Sequence, residues 1–132
     1  MGTVVARIGR IEERQSAFDA KFDGFATRVP VIDGALIELS ASLKCNTSVQ
    51  ELNNLMKFYA EGPLNGIMAY TSDPIVSSDI INNPHSVVFD ALATKVLGNN
   101  MVQLILWYDN EFAYSRRVAD LILLLGAQDK LL

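Results

Sequence analysis

Residues 35–44 alternate with a period of two, placing Ile37, Leu39, Ala41 and Leu43 on one face and Glu38, Ser40, Ser42 and Lys44 on the other. That pattern predicts a strand with one wet face. Ahead of it Phe22, Phe25 and Val29 alternate loosely with polar residues, and Pro30 pushes Val29 to extended geometry. Asp33-Gly34 is a tight-turn signal, so a strand over about 21–31 is expected to turn back into 35–44. The period then lengthens. Ser48-x-x-Glu51 is a capping box, and Leu52, Leu55, Met56 and Tyr59 form the stripe expected to be buried before Gly62-Pro63 stops the helix. Gly66 to Tyr70 reads as a short apolar strand, 75–79 as a loop or short extended piece and Asn82-Asn83-Pro84 as a turn. Ser86 to Leu97 and Met101 to Asp109 read as strands of a hairpin turning at Gly98-Asn99-Asn100. A last helix, from about Ser115 to Ala127, carries Val118, Leu121, Ile122 and Leu125 at helical spacing. Near the start, Val4, Ile8, Ile11 and Phe18 predict an amphipathic helix over 4–18. Hairpin-type connections outnumber βαβ units, which predicts α+β: a mostly antiparallel or mixed sheet with helices packed on one face.

Composition narrows the function classes. Of 132 residues, 50% are hydrophobic and 20% charged, enough for a packed core. The net charge is −4 and only Arg116-Arg117 are adjacent cations, which argues against a nucleic-acid partner. The single cysteine, Cys45, excludes an internal disulfide framework and a multi-Cys metal site, and the single histidine, His85, leaves little for a His-based one. No run of eighteen apolar residues predicts a membrane span. The first residues lack the apolar core of a secretory signal, so a cytoplasmic setting is expected.

The chemistry concentrates at Trp107-Tyr-Asp-Asn-Glu-Phe-Ala-Tyr-Ser115, where an apolar strand empties into a helix. A strand end of this kind puts polar side chains at a sheet edge, where ligands commonly bind. The segment resembles the Trp-Tyr-Asp-Asn-Glu-x-Gly-Tyr-Ser signature of phosphorylating glyceraldehyde-3-phosphate dehydrogenase, with Ala113 in place of the glycine. Further likenesses lie in the same order: Lys21-Phe-Asp-Gly-Phe-Ala-Thr-Arg-Val-Pro30, Glu61-Gly-Pro-Leu-Asn-Gly66, Tyr70 to Asp79 and His85-Ser-Val-Val-Phe-Asp90. The resemblance covers about 17–132 and implies a partial catalytic domain of that family; 1–16 stand apart as an unrelated amphipathic segment.

What the resemblance implies comes residue by residue. The arginine of Arg-Val-Pro, Arg28 here, binds the substrate or inorganic phosphate in that family, a task suited to a permanently charged bidentate fork. Read without the family, Arg28 is a surface arginine at a strand end. Asn110 matches the asparagine that holds the nicotinamide carboxamide of NAD, since a side-chain amide both donates and accepts. The plain alternative is a helix cap, a role open to Asp109 or Asn110. Tyr114 matches a tyrosine near the nicotinamide, and buried packing is its alternative role.

No catalytic residue is assigned. The Ser-Cys-Thr-Thr-Asn segment of the family's nucleophile and the His-Ala-Tyr-Thr segment of its base do not occur in these residues. Cys45 follows a strand with no base nearby in sequence, and His85 reads as a turn residue. The family's thiolate attacks the aldehyde, hydride passes to NAD, and phosphate releases 1,3-bisphosphoglycerate. A chain without nucleophile and base is expected to be inactive alone. Two further readings stand beside this: a non-catalytic interaction or assembly module on the inherited scaffold, in which the helix over 4–18 mediates oligomerisation or covers exposed sheet, and one half of a split enzyme completed by another subunit. A phosphate-bearing small molecule is the expected ligand in either enzyme reading.

Overall fold

The computed structural model describes residues 24–129 and divides the chain into two units, Met1–Pro30 and Val31–Leu132. The helix expected over 4–18 lies outside the described residues. In the first unit, residues 24–30 have no regular structure, and Phe25 stands in solvent. The strand expected over 21–31 is therefore not formed in its described part. Pro30 has no N–H to give a ladder, and a loose alternation carries little pairing information.

In the second unit Asp33-Gly34 forms a bend leading into the first strand rather than the turn of the expected hairpin. Gly34 sits at φ 88°, and a Cβ there would lie 2.8 Å from the Ser77 carbonyl oxygen. Only glycine suits both the dihedral and the close approach. The clean alternation becomes β1, Ala35–Ser42. Helix α1, Val49–Glu61, opens on a complete capping box: Ser48 Oγ accepts from the Glu51 amide at 3.2 Å, and Glu51 Oε2 accepts from the Ser48 amide at 2.8 Å. Strands β2 (Met68–Thr71), β3 (Val87–Leu97) and β4 (Met101–Tyr108) follow. The β3–β4 hairpin turns at Gly98, φ 60°. Helix α2, Phe112–Gln128, ends the described chain.

The sheet order is β1-β4-β3-β2. β4 pairs antiparallel with β1 and β3, while β2 lies parallel to β3, so the sheet is mixed. The fold is α+β. Met68, Phe89, Val102 and Leu104 point to one face of the sheet, and α1 covers them with Leu52, Met56 and Ala60. Phe89, 0% exposed, is the centre of this core, with the Tyr70 ring stacked beside it at 5.9 Å.

One expected stripe requires correction. On α1, Leu55 and Tyr59 are exposed, and the buried line runs through Leu52, Met56 and Ala60. Asn53 explains the rotation, because its Nδ2 donates to the Ala91 carbonyl at 3.0 Å and ties that side of the helix to β3. On α2, Val118, Leu121, Ile122 and Leu125 fall at helical spacing as expected and are 38–61% exposed, and only Ala113 is buried. Helix packing over a sheet face therefore describes α1; no described residue covers the stripe of α2. Helical spacing fixes which residues align, and cover requires a second surface.

Candidate functional site

The signature segment divides its residues between holding the turn and presenting it. Trp107 holds. Its Nε1 donates to Asp90 Oδ2 at 3.2 Å, while Asp90 Oδ1 accepts from the Leu92 and Ala93 amides at 3.1 Å. This bonding sits at the register shift between Asp90 and Lys95 and fixes the bulge beside the signature strand.

Asp109 holds the next layer. It is 2% exposed, and its carboxylate accepts from three backbone amides: Phe112 at 2.7 Å, Glu111 at 2.9 Å and Asn82 at 2.8 Å. Burial pushes its pKa up, but those three donors, together with the Asp33 side chain, outweigh burial and hold it below the ordinary aspartate value. The ionised carboxylate caps α2, which explains why the helix starts at Phe112 rather than Ser115. The bond to Asn82 also secures a left-handed residue, φ 63°, in the Asn82-Asn83-Pro84 turn. Glu111 is the N-cap residue and makes no side-chain cap bond; Asp109 satisfies the amides at this helix start, and Asn110 takes no part in it.

Asn110 is exposed, and its side chain makes no hydrogen bond within the described residues. It opens on a cleft of about 320 Å³ lined by Ser86, Tyr108, Ala113, Tyr114 and Arg117. Tyr114 is 71% exposed, which removes buried packing as its role. Ala113 is buried in the first turn, where alanine stabilises a helix over glycine by roughly 1 kcal/mol. The structure thus brings together the two residues singled out for the cofactor. Arg28 lies exposed in the first unit.

Cys45 is exposed in the loop after β1, where the flanking Leu43 and Thr47 amides donate to the Asn100 and Asn99 carbonyls. His85 is the turn residue it was expected to be, its Nδ1 2.9 Å from Asn83 Oδ1. Burial, and then the nearby Arg117 charge, lower its pKa. Arg117 is the cleft residue that motif reading missed. Its spacing of three from Tyr114 and three from Asp120 was the available signal, placing all three near one helix face.

A family model described as the glyceraldehyde 3-phosphate dehydrogenase C-terminal domain matches residues 10–110. The chain belongs to that family. A glyceraldehyde-3-phosphate dehydrogenase of Mycolicibacterium smegmatis is 50% identical over 106 residues, covering 80% of this chain and 31% of the relative. That of Mycobacterium avium is 48% identical over the same shares. Glyceraldehyde-3-phosphate dehydrogenase 2 of Caenorhabditis briggsae is 47% identical over 104 residues, 79% of this chain and 30% of the relative. The chain spans about 31% of the length of its mycobacterial relatives.

The family is NAD-dependent, and the cleft can be tested against that group. An unbonded planar amide beside an exposed tyrosine fits the carboxamide end of the cofactor. Among the described residues no glycine-rich turn joins a strand to a helix N-terminus, the arrangement that would cradle the dinucleotide phosphates. The residues present fit the nicotinamide end alone. No described helix is long and apolar enough to cross a membrane.

Proposed function

We propose that this chain presents the nicotinamide-facing turn and the phosphate-binding arginine of a glyceraldehyde-3-phosphate dehydrogenase catalytic domain, and that by itself it does not turn over. The observation that carries the reading is the Asn110 side chain, unbonded within the described residues and opening on a cleft in a family-matched segment. In this reading Asn110 bonds the carboxamide, Tyr114 lies against the ring, and Arg28 takes the phosphate of a small-molecule ligand. Bound NAD would supply a hydride acceptor. With only its nicotinamide end held, affinity is expected on the order of millimolar. The exposed thiol of Cys45 suits a reducing, cytoplasmic setting.

Titrating the isotope-labelled chain with NAD tests this directly. The Asn110 side-chain amide and the Tyr114 backbone amide should move together, while signals around Cys45 stay still. Silence at Asn110 and Tyr114 with NAD well above millimolar, or a response confined to other residues, would remove the reading.

One observation favours a second reading, in which a second copy or a complementing subunit covers α2. The stripe from Val118 to Leu125 lies in solvent, and uncovered apolar surface recruits partners. Light scattering across a concentration series should then show mass rising with concentration. A constant monomer mass would dispose of self-association.

A further inference from the structure

We propose that Arg117 positions the cleft: its guanidinium clamps the second turn of α2 to the Gly66 carbonyl and so sets where Asn110 and Tyr114 stand. The inference rests on the reading of those two residues as the ligand-facing pair.

A helix draws its direction mainly from the packing of its apolar side, and in α2 Val118, Leu121, Ile122 and Leu125 are in solvent. Its first turn is fixed by the Asp109 carboxylate and by the buried Ala113. A rod pinned only at its first turn can still swing and roll. Arg117 supplies the second point. Nη1 donates to the Gly66 oxygen at 3.1 Å, joining α2 to the turn before β2 across 51 residues of sequence. Nη2 pairs with Asp120 at 2.8 Å, which braces the guanidinium against its own helix. The planar fork serves both partners at once, and a lysine ammonium would not reproduce that geometry.

The geometry of the cleft depends on this clamp. Asn110 stands just ahead of the helix and Tyr114 three residues before Arg117, so rolling α2 would move the phenol relative to the amide. Arg117 itself lines the cleft. Burial, and after it the Arg117 charge, lower the His85 pKa.

Arg116 is a built-in comparison. It pairs with the same Asp120 at 3.2 Å, its side chain is 58% exposed, and it makes no bond beyond α2 among the described residues. Arg116→Gln and Arg117→Gln remove the same charge from neighbouring positions, and only the second breaks the clamp. Amide hydrogen exchange and side-chain NMR of the two variants and the parent chain make the test.

In Arg117→Gln, amides 114–120 should exchange about tenfold faster, the scale of one charge-assisted hydrogen bond. The Asn110 side-chain amide should shift, and the His85 titration should move up. Arg116→Gln should match the parent in all three. Arg117→Lys should keep the His85 titration low and recover only part of the exchange protection. Equal behaviour of Arg117→Gln and Arg116→Gln would overturn the proposal. Loss of protection across β3 as well would assign Arg117 to the fold as a whole and overturn it too. These readouts need no ligand. A parent chain unresponsive to NAD would count against the proposed function and leave this comparison standing.

Discussion

Helix α1 and helix α2 both carry apolar residues at helical spacing, yet the described structure completes only one of them. α1 has its capping box, its bond to β3 through Asn53, and Leu52, Met56 and Ala60 against the sheet. α2 has a cap in Asp109 and a clamp in Arg117, and then runs with its stripe uncovered. The candidate site shows the same asymmetry. Asn110 and Tyr114 stand at the start of α2 beside a cleft, while the family's nucleophile and base segments do not occur in the sequence. Among the described residues the apolar line of α1 is covered by the sheet and the stripe of α2 is not.

Substitutions on the two sides should differ in size. Phe89→Ala, at a fully buried position, should lower unfolding stability by about 3–5 kcal/mol. Ile122→Ala, on the open stripe, should stay within about 0.5 kcal/mol. Urea unfolding followed by the fluorescence of Trp107 measures both. A large loss at Ile122 would mean that the stripe is covered in solution and would break the contrast.

The caps sharpen the same contrast. Asp109→Ala strands three backbone donors and should cost about 2 kcal/mol, with helix content lost from α2 in circular dichroism. Ser48→Ala should cost about 1 kcal/mol and leave α2 and the Asn110 signals unchanged. If Ser48→Ala disturbed Asn110, the two sides would be coupled rather than separate.

The smallest effect is in pH. The His85 pKa is lowered in the fold by burial and then by Arg117, so below about pH 6.5 the unfolded chain binds more protons and stability falls. His85→Gln should flatten that part of the profile. Asp109 works in the more acidic range. Its lowered pKa gives stability present above about pH 3.9 and lost as pH falls through the folded value.

Much of this was legible from residues alone because local rules governed it. The period-two alternation gave β1, the Ser48-x-x-Glu51 pair gave the start of α1, and Gly98-Asn99-Asn100 gave the β3–β4 hairpin. The failures share a cause. Which side of α1 faces the sheet was settled by Asn53 meeting Ala91, a contact across 38 residues. The strand not formed over the described residues 24–30 is likewise a matter of partner, and periodicity carries no information about partners. In the site, motif reading found Asn110 and Tyr114, but it could not divide the capping role between Asp109 and Asn110. Arg117 escaped notice because its role depends on Gly66, far away in sequence.

The most direct test is an assay of NADH formation by the purified chain with glyceraldehyde 3-phosphate, NAD and inorganic phosphate, beside a sample with Cys45 alkylated. The prediction is no turnover in either sample. Turnover at rates typical of the family, abolished by alkylation, would make Cys45 the nucleophile and contradict the view that this chain holds recognition without the covalent chemistry.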